Sequence, residues 1–94
     1  MADRFYELKV AGCKRALPIL NVTDKLAIAG FIMLGDAELT LACAKALAPK
    51  IPAETDVILT AETKGIPLAA DLARELGMAR YIVARKSVKA YMEN

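Results

Sequence analysis

Basic residues in the second half of the sequence are placed where they could bind a phosphate-like anion: Lys64, Arg85, Lys86 and Lys89. Lys64 belongs to a short loop, residues 61–65, that leads directly into a predicted helix, and the free N–H groups and positive dipole end of a helix N-terminus favour anions. The dipole contributes only about 0.3–1 kcal/mol at an exposed position, so the basic side chains must supply most of the attraction. The arrangement predicts a phosphate or pyrophosphate site. The alternative is an ordinary loop with solvated lysines, because the glycine-rich phosphate-binding fingerprint is absent.

Two strands and a helix are predicted to position these residues. Residues 57–61 form an apolar run without polar alternation, typical of a strand buried on both faces. Pro67 suits the first turn of a helix and Gly77 suits its C-cap. A second apolar run, residues 81–84, follows the helix. This order predicts a right-handed βαβ unit, and parallel sheets bind ligands beyond the carboxyl ends of their strands. The apolar positions at helical spacing are Leu68, Ala69, Leu72, Ala73 and Leu76.

The first half of the sequence predicts a small sheet and then a helix. Residues 5–10 end in polar–apolar alternation, which indicates a strand. A second strand is predicted over residues 15–22, where Pro18 restricts it to a sheet edge or a bulge. Residues 27–34 are apolar and fit either a strand or a helix. Asp36 is a suitable N-cap for a helix over residues 37–48. Its predicted buried side comprises Leu39, Cys43, Ala46 and Leu47.

The order of these motifs resembles the type I phosphoribosyltransferases, most closely the adenine and xanthine enzymes. The residues concerned are Thr60-Ala61-Glu62-Thr63-Lys64-Gly65-Ile66-Pro67-Leu68-Ala69, then Leu76-Gly77, then Ala84-Arg85-Lys86 and Lys89. The resemblance implies that the loop contacts the pyrophosphate group of phosphoribosyl pyrophosphate (PRPP) and often contains a cis peptide bond that does not involve proline. It also implies pyrophosphate contacts from the basic segment, sometimes across a subunit interface. The implied site is Ala61, Glu62, Thr63, Lys64, Gly65, Arg85, Lys86 and Lys89.

The same resemblance implies a fold and an activity. The fold would be α/β, with a parallel βαβ core and a small N-terminal hood that covers the base. Residues 1–94 would form a single partial domain, with residues 1–35 as the hood-like segment and residues 36–94 as the start of the core. The activity would be transfer of the ribose 5-phosphate of PRPP to a purine base with release of pyrophosphate, as in purine salvage. PRPP would enter with Mg²⁺, and the enzyme would be a homodimer.

One family motif is absent from this sequence. In the family, a later strand ends in paired acidic residues and continues into a Thr/Gly loop that binds the ribose 5-phosphate. No such pair follows an apolar run here. The sequence therefore resembles the front part of such an enzyme, and we expect this chain alone to be inactive. No catalytic base can be named.

Other interpretations of the same residues stay open. The chain could be a non-catalytic regulatory domain that binds PRPP or a nucleotide, or a small α/β module that pairs an exposed sheet edge with a partner. Glu62 could bind a ribose hydroxyl or a metal-bound water, or it could be a carboxylate favoured by the helix dipole. Two parallel strands leave sheet surface to be covered by further chain or by a partner.

Composition excludes several function classes. A net charge of +2 over 94 residues is too small to suggest nucleic-acid binding. Histidine is absent and Cys13 and Cys43 stand far apart, so zinc sites and histidine-dependent catalysis lack support. The thiols predict a reducing compartment. No signal peptide is evident and the longest apolar run, residues 26–34, is too short to cross a membrane. We therefore expect one cytoplasmic domain with no membrane partner.

Overall fold

The computed structural model describes residues 4–85, which form a mixed α/β structure. A three-stranded antiparallel sheet comes first in the chain and is followed by a helix. A two-stranded parallel sheet comes next, and the second helix connects its two strands. The strands are β1 (Phe5–Val10), β2 (Cys13–Asn21), β3 (Ala27–Ala29), β4 (Leu59–Ala61) and β5 (Ile82–Ala84). The helices are α1 (Ala37–Leu47) and α2 (Ile66–Glu75), and a short 3-10 helix (Ala48–Lys50) directly follows α1. Over residues 4–85, neither helix is long and apolar enough to cross a membrane.

The N-terminal sheet has the strand order β1-β2-β3. The predicted strand over residues 5–10 is confirmed, and it pairs with β2 from Phe5 opposite Pro18 to Val10 opposite Cys13. Ala11 and Gly12 form the two-residue connection, with φ angles of 52° and 81°. Positive φ at both central residues is the requirement of a type I′ hairpin turn, whose twist matches that of the paired strands.

The expectation that Pro18 restricts its strand to an edge or a bulge is wrong, because β2 is the central strand. The register explains why proline is tolerated. Pro18 directs its backbone away from β1, and its carbonyl accepts a hydrogen bond from the Gly30 amide at 2.8 Å. Gly30 lies just beyond the three residue pairs that join β2 to β3. The missing N–H therefore removes one bond at the end of a ladder and leaves its middle intact.

The ambiguous segment at residues 27–34 contains the short strand β3 and then non-regular chain up to α1. Asp36 is the N-cap of α1, as predicted, since its Oδ1 accepts a hydrogen bond from the Leu39 amide at 3.0 Å. The Thr40 hydroxyl donates to the Asp36 carbonyl at 2.8 Å. The first bond satisfies an N–H group that a helix start otherwise leaves without a partner, and the second satisfies the hydroxyl of the buried Thr40.

The core lies where α1 and α2 pack together. Its buried residues in the helices are Leu39, Thr40, Cys43, Ala44, Ala69, Leu72 and Ala73. The predicted buried side of α2 is confirmed at its centre, while Leu68 and Leu76 are half-buried. For α1 the prediction was partly wrong, because Ala46 and Leu47 are exposed while Thr40 and Ala44 are buried. The buried face of α1 therefore includes more small side chains than predicted, and small side chains allow two helices to approach closely.

Gly77 ends α2 as predicted. Its φ is 73°, the Gly77 amide donates to the Arg74 carbonyl at 3.1 Å, and the Met78 amide donates to the Ala73 carbonyl at 2.8 Å. This pair of hydrogen bonds is the Schellman motif, in which the residue after the C-cap adopts the left-handed conformation.

The parallel sheet and α2 form the predicted βαβ unit, with Leu59, Thr60 and Ala61 paired to Ile82, Val83 and Ala84. The expectation that this sheet is buried on both faces is wrong for the described residues. Leu59 is 65% exposed and Ile82 is 52% exposed. Successive side chains of a strand point to opposite faces, so these two residues and their neighbours at Ala61 and Ala84 present one apolar face to solvent.

Candidate anion-binding site

The carboxyl ends of β4 and β5 bring two segments of the predicted site to the same edge of the parallel sheet. Ala61 and Ala84 are the last paired residues. The Glu62 amide then donates to the Ala84 carbonyl at 3.0 Å, which continues the ladder one step further. The loop at residues 62–65 and the side chain of Arg85 therefore start from adjacent, hydrogen-bonded points of the backbone.

The loop leads straight into α2. The peptide bond between Glu62 and Thr63 is cis, as the resemblance implies for this loop. The Ile66 amide donates to the Thr63 carbonyl at 3.1 Å. Gly65 is the N-cap and supplies no side-chain hydrogen bond, Pro67 lies in the first turn, and this turn contains no acidic residue. The Ile66 amide is thus bonded within the loop and Pro67 has no N–H, so the start of α2 favours an anion mainly through its dipole, with no carboxylate in the first turn.

Gly65 lies in a closely packed position and has an ordinary negative φ of −83°. A Cβ atom at this position would lie 2.5 Å from the Thr60 Oγ1 atom of β4. Real Cβ atoms do not approach an oxygen this closely. The glycine therefore allows the start of α2 to lie against the end of β4.

We expect Gly65→Ala to lower the free energy of unfolding by about 1 kcal/mol, the low end for inserting an extra carbon into packed structure, because the Thr60 hydroxyl can rotate away. Chemical denaturation measures this loss. In a Thr60→Ala background the same substitution should cost clearly less. Equal losses in both backgrounds would show that the contact with Thr60 is not the cause.

Glu62 and Arg85 form an ion pair across the two strand ends. The Arg85 Nη1 atom donates to the Glu62 Oε2 atom at 2.9 Å, and the side chains are 28% and 24% exposed. The sequence patterns did not anticipate this pair, since Glu62 was expected to contact a ribose hydroxyl, a metal-bound water or the helix dipole. Its signal was the placement of opposite charges directly after two adjacent parallel strands.

Lys64 lies beside a cavity of about 390 Å³. The cavity is lined by Lys64, Gly65 and Leu68 on one side and by residues 31–34 on the other. Phe31 and Ile32 are 43% and 72% exposed. The contribution of residues 31–34 was missed, because an apolar run of this kind gives no sign of which later segment it will face.

The remaining members of the predicted site divide into two groups. Ala61 and Thr63 are exposed at the same strand end and loop. Lys86 and Lys89 lie outside the described residues. The structure thus brings together Ala61, Glu62, Thr63, Lys64, Gly65 and Arg85.

A second charged cluster joins the N-terminal sheet to α1. Arg15 on β2 donates from Nε to the Asp36 Oδ2 atom at 2.7 Å and from Nη2 to the Asp36 Oδ1 atom at 3.0 Å. Nη2 also donates to the Glu38 Oε1 atom at 2.8 Å. The Arg15 guanidinium, together with the Leu39 amide, holds the pKa of the Asp36 carboxyl at about 2. These bonds make the cluster a structural link between sheet and helix.

The cysteines and carboxylates offer no metal centre in the described part of the chain. Cys13 and Cys43 are both free thiols, and burial is the main cause that raises the pKa of Cys43. No group of three or more cysteine, aspartate, glutamate or histidine side chains over residues 4–85 is arranged to hold a metal ion.

Comparison with models of known protein families gives no match, and comparison with curated proteins gives none either. The functional assignment therefore depends on the residues and on the geometry of the strand ends.

Proposed function

We propose that the chain binds the diphosphate group of PRPP and supplies this part of the site of a purine-directed phosphoribosyltransferase of type I. The observation that supports this proposal most is the placement of Lys64, Arg85 and the N-terminus of α2 at the carboxyl edge of one parallel sheet. This edge is where open parallel sheets bind their ligands. A diphosphate there would meet Lys64, the Arg85 guanidinium that is paired with Glu62, and the positive end of the α2 dipole.

The proposed reaction replaces the pyrophosphate on the anomeric carbon of PRPP with a purine nitrogen. The bond to the pyrophosphate oxygen breaks as the bond to the base forms, through a transition state with oxocarbenium character. Negative charge grows on the departing pyrophosphate. Hydrogen-bond donors that already face the pyrophosphate stabilise this charge without having to reorganise. The loop amides, Lys64 and Arg85 would therefore contribute mainly by orienting the pyrophosphate and neutralising its charge.

The cavity beside Lys64 supports the second half of the proposal. Its walls at residues 31–34 are apolar, and it adjoins the loop that would bind the diphosphate. A flat purine ring prefers such a surface, because its faces are apolar and its edges carry the polar groups. Residues 1–35 would then act as the hood that covers the base.

Titration calorimetry with inorganic pyrophosphate and Mg²⁺ tests the proposal directly. We expect saturable binding that Arg85→Ala weakens about tenfold, since one charge-assisted hydrogen bond contributes about 1.5–3 kcal/mol before screening. Arg74→Ala is the matched control, because it removes the same charge from a side chain that is 73% exposed on α2. Absence of binding by the unmodified chain, or equal weakening by both substitutions, would contradict the proposed site.

One observation favours a second function, that of a small interaction module. The face of the parallel sheet that carries Leu59 and Ile82 is apolar and exposed, and such surfaces are found where proteins contact partners. A module of this kind would show no affinity for pyrophosphate. The same titration therefore separates the two functions.

A further inference from the structure

The ion pair at the strand ends suggests that Glu62 acts through Arg85 and does not itself contact the anion. We propose that Glu62 is a positioning residue that orients the Arg85 guanidinium toward the mouth of the loop at residues 62–65. This inference rests on the proposed function, because the orientation matters only if an anion binds there.

The backbone beneath the pair is held in place. The Glu62 amide donates to the Ala84 carbonyl at 3.0 Å, one residue before Arg85. Both side chains therefore leave from strand ends whose separation is set by a hydrogen bond. The Arg85 Nη1 atom donates a hydrogen bond to the Glu62 Oε2 atom at 2.9 Å.

An arginine side chain at the end of a strand samples many rotamers unless a contact selects one of them. Immobilising such a side chain costs free energy when a ligand binds, and a contact that is already present in the free protein removes part of that cost. The guanidinium has N–H donors in a fixed planar arrangement, so a carboxylate at one nitrogen also sets the directions of the others. The Glu62 carboxylate accepts a hydrogen bond from Nη1 of Arg85 and so fixes the plane of the guanidinium.

A carboxylate near a diphosphate also repels it, and this effect opposes the orienting one. The repulsion acts across a partly solvated region, since both side chains are about a quarter exposed, and solvent and salt screen it there. The two effects predict opposite signs for the removal of Glu62. If orientation is the larger effect, the loss of the carboxylate weakens anion binding; if repulsion is larger, the loss strengthens it.

The test is calorimetric titration of the 94-residue chain with inorganic pyrophosphate and Mg²⁺ after Glu62→Ala and Glu62→Gln. We expect Glu62→Ala to weaken binding by about two- to tenfold, which corresponds to the cost of immobilising one side chain. Glu62→Gln should weaken it less, because the amide oxygen still accepts a hydrogen bond. In an Arg85→Ala background, Glu62→Ala should no longer weaken binding, because the effect passes through Arg85.

Glu75→Ala, on the exposed side of α2, is the matched control for the change in net charge and should leave the affinity unchanged. Tighter or unchanged binding by Glu62→Ala would overturn the positioning role, and so would an equal loss in the Arg85→Ala background. Those results would leave the proposed function standing as long as the unmodified chain binds pyrophosphate. If the unmodified chain fails to bind, both the proposed function and the positioning role are wrong.

Discussion

Leu39→Ala is expected to lower the free energy of unfolding by about 2–5 kcal/mol, the largest loss that we predict for a single substitution. Leu39 is 1% exposed, and it is the largest fully buried side chain in the described part of the chain. Truncation removes its buried methyl groups and leaves a cavity, next to residues 15–18 and 30–32, that the surrounding packing can only partly refill. Small domains have about 5–15 kcal/mol of stability in total, so this loss is a large share of it.

Leu41→Ala provides the matched comparison. It lies on the same helix and makes the same chemical change, but Leu41 is 42% exposed. Chemical denaturation of both variants should show a small effect at Leu41 and a large one at Leu39. Similar losses at the two positions would mean that α1 does not bury its Leu39 side in the protein core.

The second prediction is that the stability of the folded chain depends on pH in the acid range. The Arg15 guanidinium, helped by the Leu39 amide, lowers the pKa of Asp36 from 3.8 to about 2. A carboxyl whose pKa is depressed by folding stabilises the folded state fully above its unfolded pKa. That contribution is lost as the pH falls through the folded pKa. The stability supplied by Asp36 should therefore be complete above about pH 4 and should disappear progressively between about pH 4 and pH 2.

Asp36→Asn isolates this effect, because asparagine is also a good N-cap but has no charge for Arg15. Thermal denaturation should show the variant to be less stable than the unmodified chain at about pH 6, with a difference that shrinks toward pH 2. In an Arg15→Gln background, Asp36→Asn should produce little of this pH dependence. A difference that stays constant down to about pH 2 would show that the ion pair is not its source.

The secondary structure near the candidate site was predictable because it depends on local rules. Pro67 suits the start of a helix whether or not anything packs against it, and Gly77 suits a left-handed C-cap for the same reason. Asp36 caps α1 through an amide three residues away. Apolar runs separated by a helix predict parallel strands, and parallel strands must end at the same edge. The common location of the loop and Arg85 followed from these facts alone.

Contacts between distant segments were not predictable in this way. Pro18 was expected at an edge, but its place in the centre of a sheet depends on where the short strand β3 stops. The burial of Ala44 instead of Leu47 depends on how closely α2 approaches α1. The wall that residues 31–34 form beside Lys64 depends on the path of the chain between β3 and α1.

The sequence by itself determined the βαβ order, the N-cap of α1, the glycine that ends α2 and the edge of the sheet at which the loop and Arg85 lie, because each depends on backbone preferences within a few residues. Tertiary structure alone decided that Glu62 pairs with Arg85 and that Arg15 joins β2 to Asp36. Such pairs form between residues far apart in the chain. Their geometry is set by strand register and helix packing, which no local pattern of residues records.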